Sequence, residues 1–209
     1  MTLLPLVLLS GYLLGSIPSG YLAGRWFAGI DLRDIGSGST GATNVLRQVG
    51  KGPALVVFAV DVLKGSAAVL LARHLLPAGG SSDWWVVATG LAALAGHSWP
   101  VWLGWRGGKA VATGLGMLLG LTWPVGLASL GIFLATLTLT RIVSLSSVAA
   151  AVALPLLMLA SFEASGSGLR PAYLGLALLT SALVIWRHRS NLSRILAGSE
   201  ARLGDGRKD

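Results

Sequence analysis

Residues 54–74 read ALVVFAVDVLKGSAAVLLARH, an apolar run as long as a membrane-spanning helix. About 20 predominantly apolar residues are needed to cross the hydrocarbon core of a bilayer. Comparable runs recur along the 209-residue chain, which is 54% hydrophobic and only 11% charged, whereas a soluble domain is typically about 25% charged. The sequence therefore predicts an all-α, polytopic membrane protein that forms a single domain over residues 1–209.

Seven apolar segments are predicted to be transmembrane helices. They lie at roughly 3–24, 54–74, 85–103, 110–121, 124–140, 144–161 and 172–187. The first has no basic residues before it and exceeds signal-peptide length, so we expect it to be retained. The fourth is short, since roughly 12 residues at about 1.5 Å each span only about 18 Å of a core about 30 Å thick. It is predicted either to extend back through 107–109 or to be a half-helix with a re-entrant loop.

The basic residues are concentrated on one side of this arrangement. With the N-terminus outside, thirteen of the 16 lysines and arginines fall on the opposite side, two fall outside, and Lys64 lies within a helix. The thirteen are Arg25, Arg33, Arg47, Lys51, Arg106, Lys109, Arg141, Arg187, Arg189, Arg194, Arg202, Arg207 and Lys208. The positive-inside rule places this crowded side, and the C-terminus, in the cytoplasm. The net charge of +8 also suits anionic lipid headgroups or anionic substrates.

The first cytoplasmic loop contains GSGSTGATNVLR at 36–47, which resembles a phosphate-binding loop. Its glycines allow backbone N–H groups to turn inward as an anion-binding nest, and its hydroxyls add donors. A helix that begins near Ala42 would attract phosphate to its N-terminus and would place Asn44 and Arg47 on one face. The alternative is a flexible linker. A nucleotide-binding P-loop is excluded, because Ala42 replaces the lysine and no strand precedes the loop.

A second cytoplasmic stretch, GHSWPVWLGWRGGKAVAT at 96–113, contains another glycine pair. Lys109, which follows Gly107 and Gly108, is predicted to supply the cation that is missing at position 42. His97 is equally consistent with a packed core histidine and with a group that binds substrate. Arg106 is interpreted mainly as a topology charge.

The third stretch, WRHRSNLSRILAGSE at 186–200, allows two interpretations. Three positions separate His188 from Asn191, so one helical face would present both as donors. The alternative is a basic amphipathic tail that lies on anionic lipid. Ser144, in the turn before the sixth span, either caps that helix or contributes to the site. Asp61 and Lys64 form a structural pair or take a direct role.

Several chemistries are excluded by composition and spacing. The absence of cysteine excludes thiolate chemistry, and the three histidines are too widely separated to form a metal cluster. The chain also lacks the G-x-S-x-G elbow of serine hydrolases and the His–Asp spacing of the usual membrane acyltransferases. No metal or other cofactor and no nucleic-acid partner is expected. The remaining groups suit a phosphate-bearing substrate that is already activated.

Four stretches, GSGSTGATNVLR, DVLKG, GHSWPVWLGWRGGKAVAT and RHRSNLSRILAGSE, resemble the PlsY-type glycerol-3-phosphate acyltransferases of bacteria. They occur in the same order and on matching loops, and the resemblance covers essentially the whole chain. It implies seven helices in the bacterial inner membrane, with the active site on the cytoplasmic face. It also implies metal-independent acyl transfer from acyl phosphate to the sn-1 hydroxyl of glycerol 3-phosphate, which yields lysophosphatidic acid. Membrane lipids and the soluble enzyme that makes acyl phosphate are the implied partners.

This resemblance completes the predicted site. The residues assigned as catalytic are Ser37, Arg47, Lys109, His188 and Asn191, and those assigned to substrate binding are Gly36, Gly38, Gly41, Thr43, Asn44, His97, Gly107, Gly108 and Ser144. Backbone N–H groups of 36–41, with Asn44, are predicted to steady the developing oxyanion. A phosphate oxygen of the donor is the expected proton acceptor, because no carboxylate is evident to orient His97 or His188. The alternative function is a non-enzymatic carrier or flippase of a phosphorylated lipid.

Overall fold

The structure, a computed structural model, describes residues 3–77 and 80–204, and these residues form helices and no strand. The helices are α1 (Leu3–Gly15), α2 (Ser19–Ala28), α3 (Ala42–Gln48), α4 (Lys51–Leu75), α5 (Gly80–Ser98), α6 (Val111–Leu121), α7 (Trp123–Thr140), α8 (Val143–Ser165), α9 (Pro171–Arg187) and α10 (Arg189–Leu196), with a 3-10 turn at Val101–Leu103. The all-α prediction is confirmed. Arg207 and Lys208, counted above for topology, lie outside the described residues.

Five segments of the described chain are long and apolar enough to cross a membrane. They are Leu3–Ala28, Lys51–Leu75, Ser82–Leu103, Trp123–Thr140 and Val143–Ser165, and two shorter apolar helices lie at Val111–Leu121 and Pro171–Arg187. The two shorter helices coincide with the predicted fourth and seventh segments. Seven spans and the orientation in the membrane stay predictions.

The short fourth segment starts at Val111, where α6 begins. Residues 104–110 form a loop, and Ala110 before the helix has a φ of 61°. An α-helix cannot continue through a left-handed residue of this kind. The helix therefore does not extend back through 107–109, and that alternative is wrong.

The chain divides into two compact units, Met1–Trp123 and Pro124–Asp209. The first contains α1 to α6 and the first residue of α7, and the second contains the rest of α7 and α8 to α10. The prediction of a single domain over 1–209 stays a prediction.

In the first unit, helices approach each other closely through glycine. A Cβ atom at Gly65 of α4 would overlap the backbone oxygen of Thr113 on α6, and one at Gly116 of α6 would overlap that of Val62. Close backbone approach through small residues is a common way for membrane helices to associate. The middle of α4, with its ionisable residues, is thereby held inside the unit.

In the second unit, α8 and α9 lie side by side. The Ser181 hydroxyl of α9 donates to the backbone oxygens of Ala151 on α8, at 2.5 Å, and of Ala177, at 2.8 Å. The chain turns at His188, which ends α9 and precedes α10. This turn places the short α10 against α8 and α9.

Candidate active site

The first glycine loop is shaped by the side-chain amide of Asn44. Its Nδ2 donates to the backbone oxygens of Leu32 at 3.1 Å, Ile35 at 3.1 Å and Ser39 at 2.9 Å. Its Oδ1 accepts a hydrogen bond from the backbone nitrogen of Ser37 at 3.4 Å. The two amide hydrogens are thus already engaged by three carbonyls. We therefore expect Asn44 to hold the loop rather than to donate to an oxyanion. The backbone N–H groups of Ser37 and Gly38 also donate within the loop, to Asn44 Oδ1 and Ile35 O.

Gly36 and Gly38, on either side of Ser37, adopt a backbone conformation that favours glycine. Both have a φ of 64°, which is strained for residues with a Cβ. A Cβ at Gly36 would also lie 2.5 Å from Asn44 Oδ1. The Ser37 side chain between them is exposed, so it is accessible to a ligand.

The helix predicted after this loop is confirmed. α3 begins at Ala42 behind Gly41, whose backbone is extended. Thr43 is half-buried in its first turn, and Arg47 lies in its last turn.

The second glycine loop is fastened to the end of α5 by its own backbone. Gly107 N–H donates to Ser98 O at 3.2 Å, and Gly108 N–H donates to His97 O at 3.0 Å. A Cβ at Gly108 would overlap the His97 imidazole, so the ring lies directly against this glycine. Lys109 follows and is half-buried. His97 therefore lies behind the loop that carries Lys109.

His97 has a carboxylate neighbour, so the prediction that no carboxylate lies near either histidine is wrong for this one. Asp61 Oδ1 lies 3.6 Å from His97 Nδ1, and it also pairs with Lys64 Nζ at 2.7 Å and accepts from the Ser19 hydroxyl at 2.7 Å. Asp61 is 1% exposed and His97 is 6% exposed. The structure thus favours the packed-histidine alternative for His97, with a polar partner. It also pairs Asp61 with Lys64.

A small cavity lies between this cluster and the first glycine loop. Its polar lining includes Ser16, Ser19, Thr40, Lys64 and His97. The buried Ser16 hydroxyl has no hydrogen-bond partner among the described residues. Thr40 of the first glycine loop and His97, which lies behind the second glycine loop, therefore line the same cavity.

In the second unit, the sequence reasoning missed a central residue, Glu200. Its Oε1 accepts from the Ser144 hydroxyl at 2.7 Å and from Asn191 Nδ2 at 2.6 Å, while Oε2 accepts from Arg194 Nε at 2.7 Å. Burial alone would raise the pKa of Glu200, but these three hydrogen bonds outweigh burial and lower it. The available signal was the lone acidic residue at the end of the basic stretch 186–200.

Ser144 does not cap the sixth predicted span. The residue before α8 is Ile142, and no side chain caps that helix end. Ser144 lies within the first turn, where its hydroxyl is bound to Glu200. The capping alternative is therefore wrong.

His188 and Asn191 both lie on the buried side of the turn between α9 and α10. They are 3% and 4% exposed, and His188 Nδ1 lies 2.8 Å from Val184 O. Leu196, at the end of α10, is 90% exposed. The predicted donor pair is thus inside the unit, whereas the tail end faces outward.

The predicted site residues are divided between the two units. Those of the first unit are Gly36, Ser37, Gly38, Gly41, Thr43, Asn44, Arg47, His97, Gly107, Gly108 and Lys109, and those of the second are Ser144, His188 and Asn191. No group of three or more potential metal ligands occurs among the described residues.

The sequence matches a known protein family and several known proteins. The family model described as glycerol-3-phosphate acyltransferase matches residues 5–198. A glycerol-3-phosphate acyltransferase of Prochlorococcus marinus (strain MIT 9313) is 68% identical over 199 residues, covering 95% of this chain and 94% of that protein. Another, from Synechococcus sp. (strain CC9605), is 66% identical over 199 residues, covering 95% and 93%.

Two crystal structures of PlsY (YgiH), an integral membrane glycerol 3-phosphate acyltransferase, have the same fold. The glycerol 3-phosphate form has a TM-score of 0.86 and 37% identity and covers 96% of each chain. The lysophosphatidic acid form has a TM-score of 0.83 and 36% identity and covers 96% of this chain and 95% of that one. The chain therefore belongs to the PlsY-type glycerol-3-phosphate acyltransferase family of integral membrane proteins.

Proposed function

We propose that the protein transfers a fatty acyl group from acyl phosphate to the sn-1 hydroxyl of glycerol 3-phosphate. The products are lysophosphatidic acid and inorganic phosphate, in phospholipid synthesis. The names of the relatives and the substrate and product forms of the matching structures support the acceptor and the product. One observation carries the proposal: the first unit presents a nest around the exposed Ser37 and a second loop that ends in Lys109.

The reaction depends more on neutralising the negative charges of the two substrates than on activating the acyl donor, which already carries a phosphate leaving group. Both substrates are anionic, and two unit charges about 4 Å apart in water repel by about 1 kcal/mol. Ser37, Arg47 and Lys109 supply a hydroxyl and two cations for the phosphates. Ser144, His188 and Asn191, which were predicted for the same role, lie in the second unit, where Ser144 and Asn191 donate to Glu200. With these cations in place, the reaction needs no metal and no other cofactor.

In the reaction, the acceptor hydroxyl oxygen attacks the carbonyl carbon of the acyl phosphate. A new ester bond forms, and the bond from the carbonyl carbon to the phosphate oxygen breaks. Backbone N–H groups of residues 36–41, other than those of Ser37 and Gly38, which donate within the loop, stabilise the negative charge that develops on the carbonyl oxygen. The phosphate is a good leaving group, so no strong general acid is required.

The hydroxyl proton passes to a phosphate oxygen of the donor in this mechanism. Asp61 could orient His97 through Nδ1, but the ring is 6% exposed and Gly108 lies against its Nε2 side, so His97 is a poor acceptor. His188 directs its Nδ1 towards the carbonyl of Val184. Between these two histidines, only Nε2 of His188 could compete with the phosphate oxygen for the proton.

The proposed arrangement in the bacterial inner membrane has seven spans, with the N-terminus outside and both glycine loops in the cytoplasm. The five long spans and the two shorter apolar helices account for the seven, and the basic loops account for the orientation. The acyl chain would remain in the bilayer while its phosphate enters the site. The soluble enzyme that makes acyl phosphate is the expected supplier.

The test uses purified protein in a lipid mesophase with palmitoyl phosphate and glycerol 3-phosphate, in the presence of EDTA. Phosphate and lysophosphatidic acid should appear in equal amounts, and palmitoyl-CoA should not replace palmitoyl phosphate. Lys109→Ala should abolish turnover, whereas Lys51→Ala, a change at an exposed lysine, should not. No product from acyl phosphate, by protein that still binds glycerol 3-phosphate, would contradict the donor assignment and favour a carrier. Loss of product with EDTA would contradict metal independence.

A further inference from the structure

Arg33, just before the first glycine loop, is held rigidly on one side by Asp31. Its Nε lies 3.0 Å from Asp31 Oδ1, and its Nη2 lies 2.6 Å from Oδ2, which is the two-pronged geometry of a strong arginine–carboxylate pair. The guanidinium also lies 5.1 Å from the centre of the Tyr21 ring. The hydrogen bond from Arg33 lowers the pKa of Asp31 to about 2, so the carboxylate is charged at neutral pH.

The remaining nitrogen of Arg33 reaches the second glycine loop. Nη1 donates to the backbone oxygen of Leu103 at 3.0 Å. In the opposite direction, Arg106 Nη2 donates to the backbone oxygen of Arg33 at 3.0 Å. Two reciprocal hydrogen bonds therefore join residue 33 to residues 103–106.

These bonds lie next to the groups that are expected to bind substrate. Arg33 is three residues before Gly36, and a Cβ at Gly38 would lie 3.3 Å from the Arg33 carbonyl oxygen. On the other loop, Arg106 directly precedes Gly107. The distance between the Ser37 nest and Lys109 therefore depends on how residue 33 is held.

We propose that Arg33 is a positioning residue that holds the two glycine loops in register, so that the Ser37 nest and Lys109 engage the same substrate phosphate. This inference rests on the proposed function of the two loops. Only arginine suits the position, because it offers five N–H donors in a planar fork. A lysine keeps the charge, but its single nitrogen cannot hold both carboxylate oxygens and the Leu103 carbonyl.

The decisive variant is Arg33→Lys, with Arg25→Lys as its matched control. Arg25 lies on the same Tyr21 ring, at 5.5 Å, and 3.8 Å from Asp31, and its described contacts lie within residues 21–31. The KM for glycerol 3-phosphate should rise about tenfold in Arg33→Lys, equivalent to about 1.4 kcal/mol of binding. In Arg25→Lys it should stay within about twofold of the original value.

A second variant, Arg106→Gln, removes the reciprocal bond from a side chain that is 62% exposed, so folding should not be affected. It should raise the same KM by a smaller factor. If both Arg33→Lys and Arg106→Gln keep the original KM, the inference is wrong. A lower melting temperature with unchanged KM would show a purely structural role and would equally overturn it.

Direct binding of glycerol 3-phosphate, measured by calorimetry on each variant, separates this inference from the proposed reaction. Weaker binding by Arg33→Lys but not by Arg25→Lys supports the inference even if acyl phosphate proves not to be the donor. Equal binding by both, together with normal turnover of the original protein, refutes the inference and leaves the proposed reaction standing.

Discussion

Ser144 and Glu200 are joined by a hydrogen bond of 2.7 Å across 56 positions of sequence. The same carboxylate also accepts from Asn191 and Arg194. It therefore holds Ser144 and Asn191, which were both predicted to contact phosphate. Glu200 is 8% exposed. The segment after α10 therefore completes the polar interior of the second unit.

Replacing Glu200 with glutamine should destabilise the protein. An amide at this position would direct N–H donors at groups that already donate, and a buried unsatisfied donor typically costs about 1–3 kcal/mol. Thermal unfolding in detergent should show a lower melting temperature for Glu200→Gln, with reduced turnover. Glu163→Gln, at an exposed carboxylate, is the control and should unfold like the original protein. An unchanged melting temperature for Glu200→Gln would contradict the role of its hydrogen bonds.

The pKa of Glu200 also predicts a pH dependence of stability. Because the folded-state pKa is lowered from its usual value of 4.5, the unfolded state binds the proton more readily. The stability contributed by Glu200 is complete above pH 4.5 and is lost as the pH falls through the lower folded-state value. Melting temperatures measured from pH 7 downwards should therefore converge for the original protein and Glu200→Gln in acid. If the difference in melting temperature between the two proteins stays constant with pH, ionisation of Glu200 is not the source of that difference.

Removing the Asp61 charge should destabilise the protein, because the Lys64 ammonium would stay buried without its partner carboxylate. Their side chains are 1% and 3% exposed and 2.7 Å apart, and breaking a buried ion pair by removing one partner typically costs about 3–5 kcal/mol. Asp61→Asn should thus lower the melting temperature sharply. Asp61→Asn combined with Lys64→Met should recover part of the loss, since no unpaired charge remains. If the double variant is no more stable than Asp61→Asn, the ion pair is not the source of the effect.

The contact between Gly108 and His97 can be tested by adding one methyl group. In Gly108→Ala the Cβ overlaps the His97 ring, so the loop must move and take Lys109 with it. Turnover should fall by up to about a hundredfold, the loss that a misplacement of about 1 Å can cause. Gly52→Ala is the matched control, because nothing lies within 4 Å of a Cβ there. The combination of His97→Ala with Gly108→Ala should recover part of the activity, because the smaller side chain makes space for the added methyl group. Full activity in Gly108→Ala alone would contradict the expected contact.

The sequence by itself determined the class of the protein and the local shape of its elements. Long apolar runs such as 54–74 cannot be covered with polar residues, so they indicate membrane helices. A helix that begins near Ala42 was considered after the first glycine loop, and α3 begins there. These features depend on neighbouring residues along the chain, whose hydrophobicity and backbone preferences can be read directly.

Only the tertiary structure decided which distant polar groups meet. His97 is on α5 and Asp61 is on α4, and no periodicity of either helix predicts the 3.6 Å between them. Glu200 likewise reaches Ser144 only because the chain turns back after α10. Such pairs depend on how helices pack and where a loop returns. These contacts lie between residues far apart in sequence, so the pattern of neighbouring residues cannot predict them.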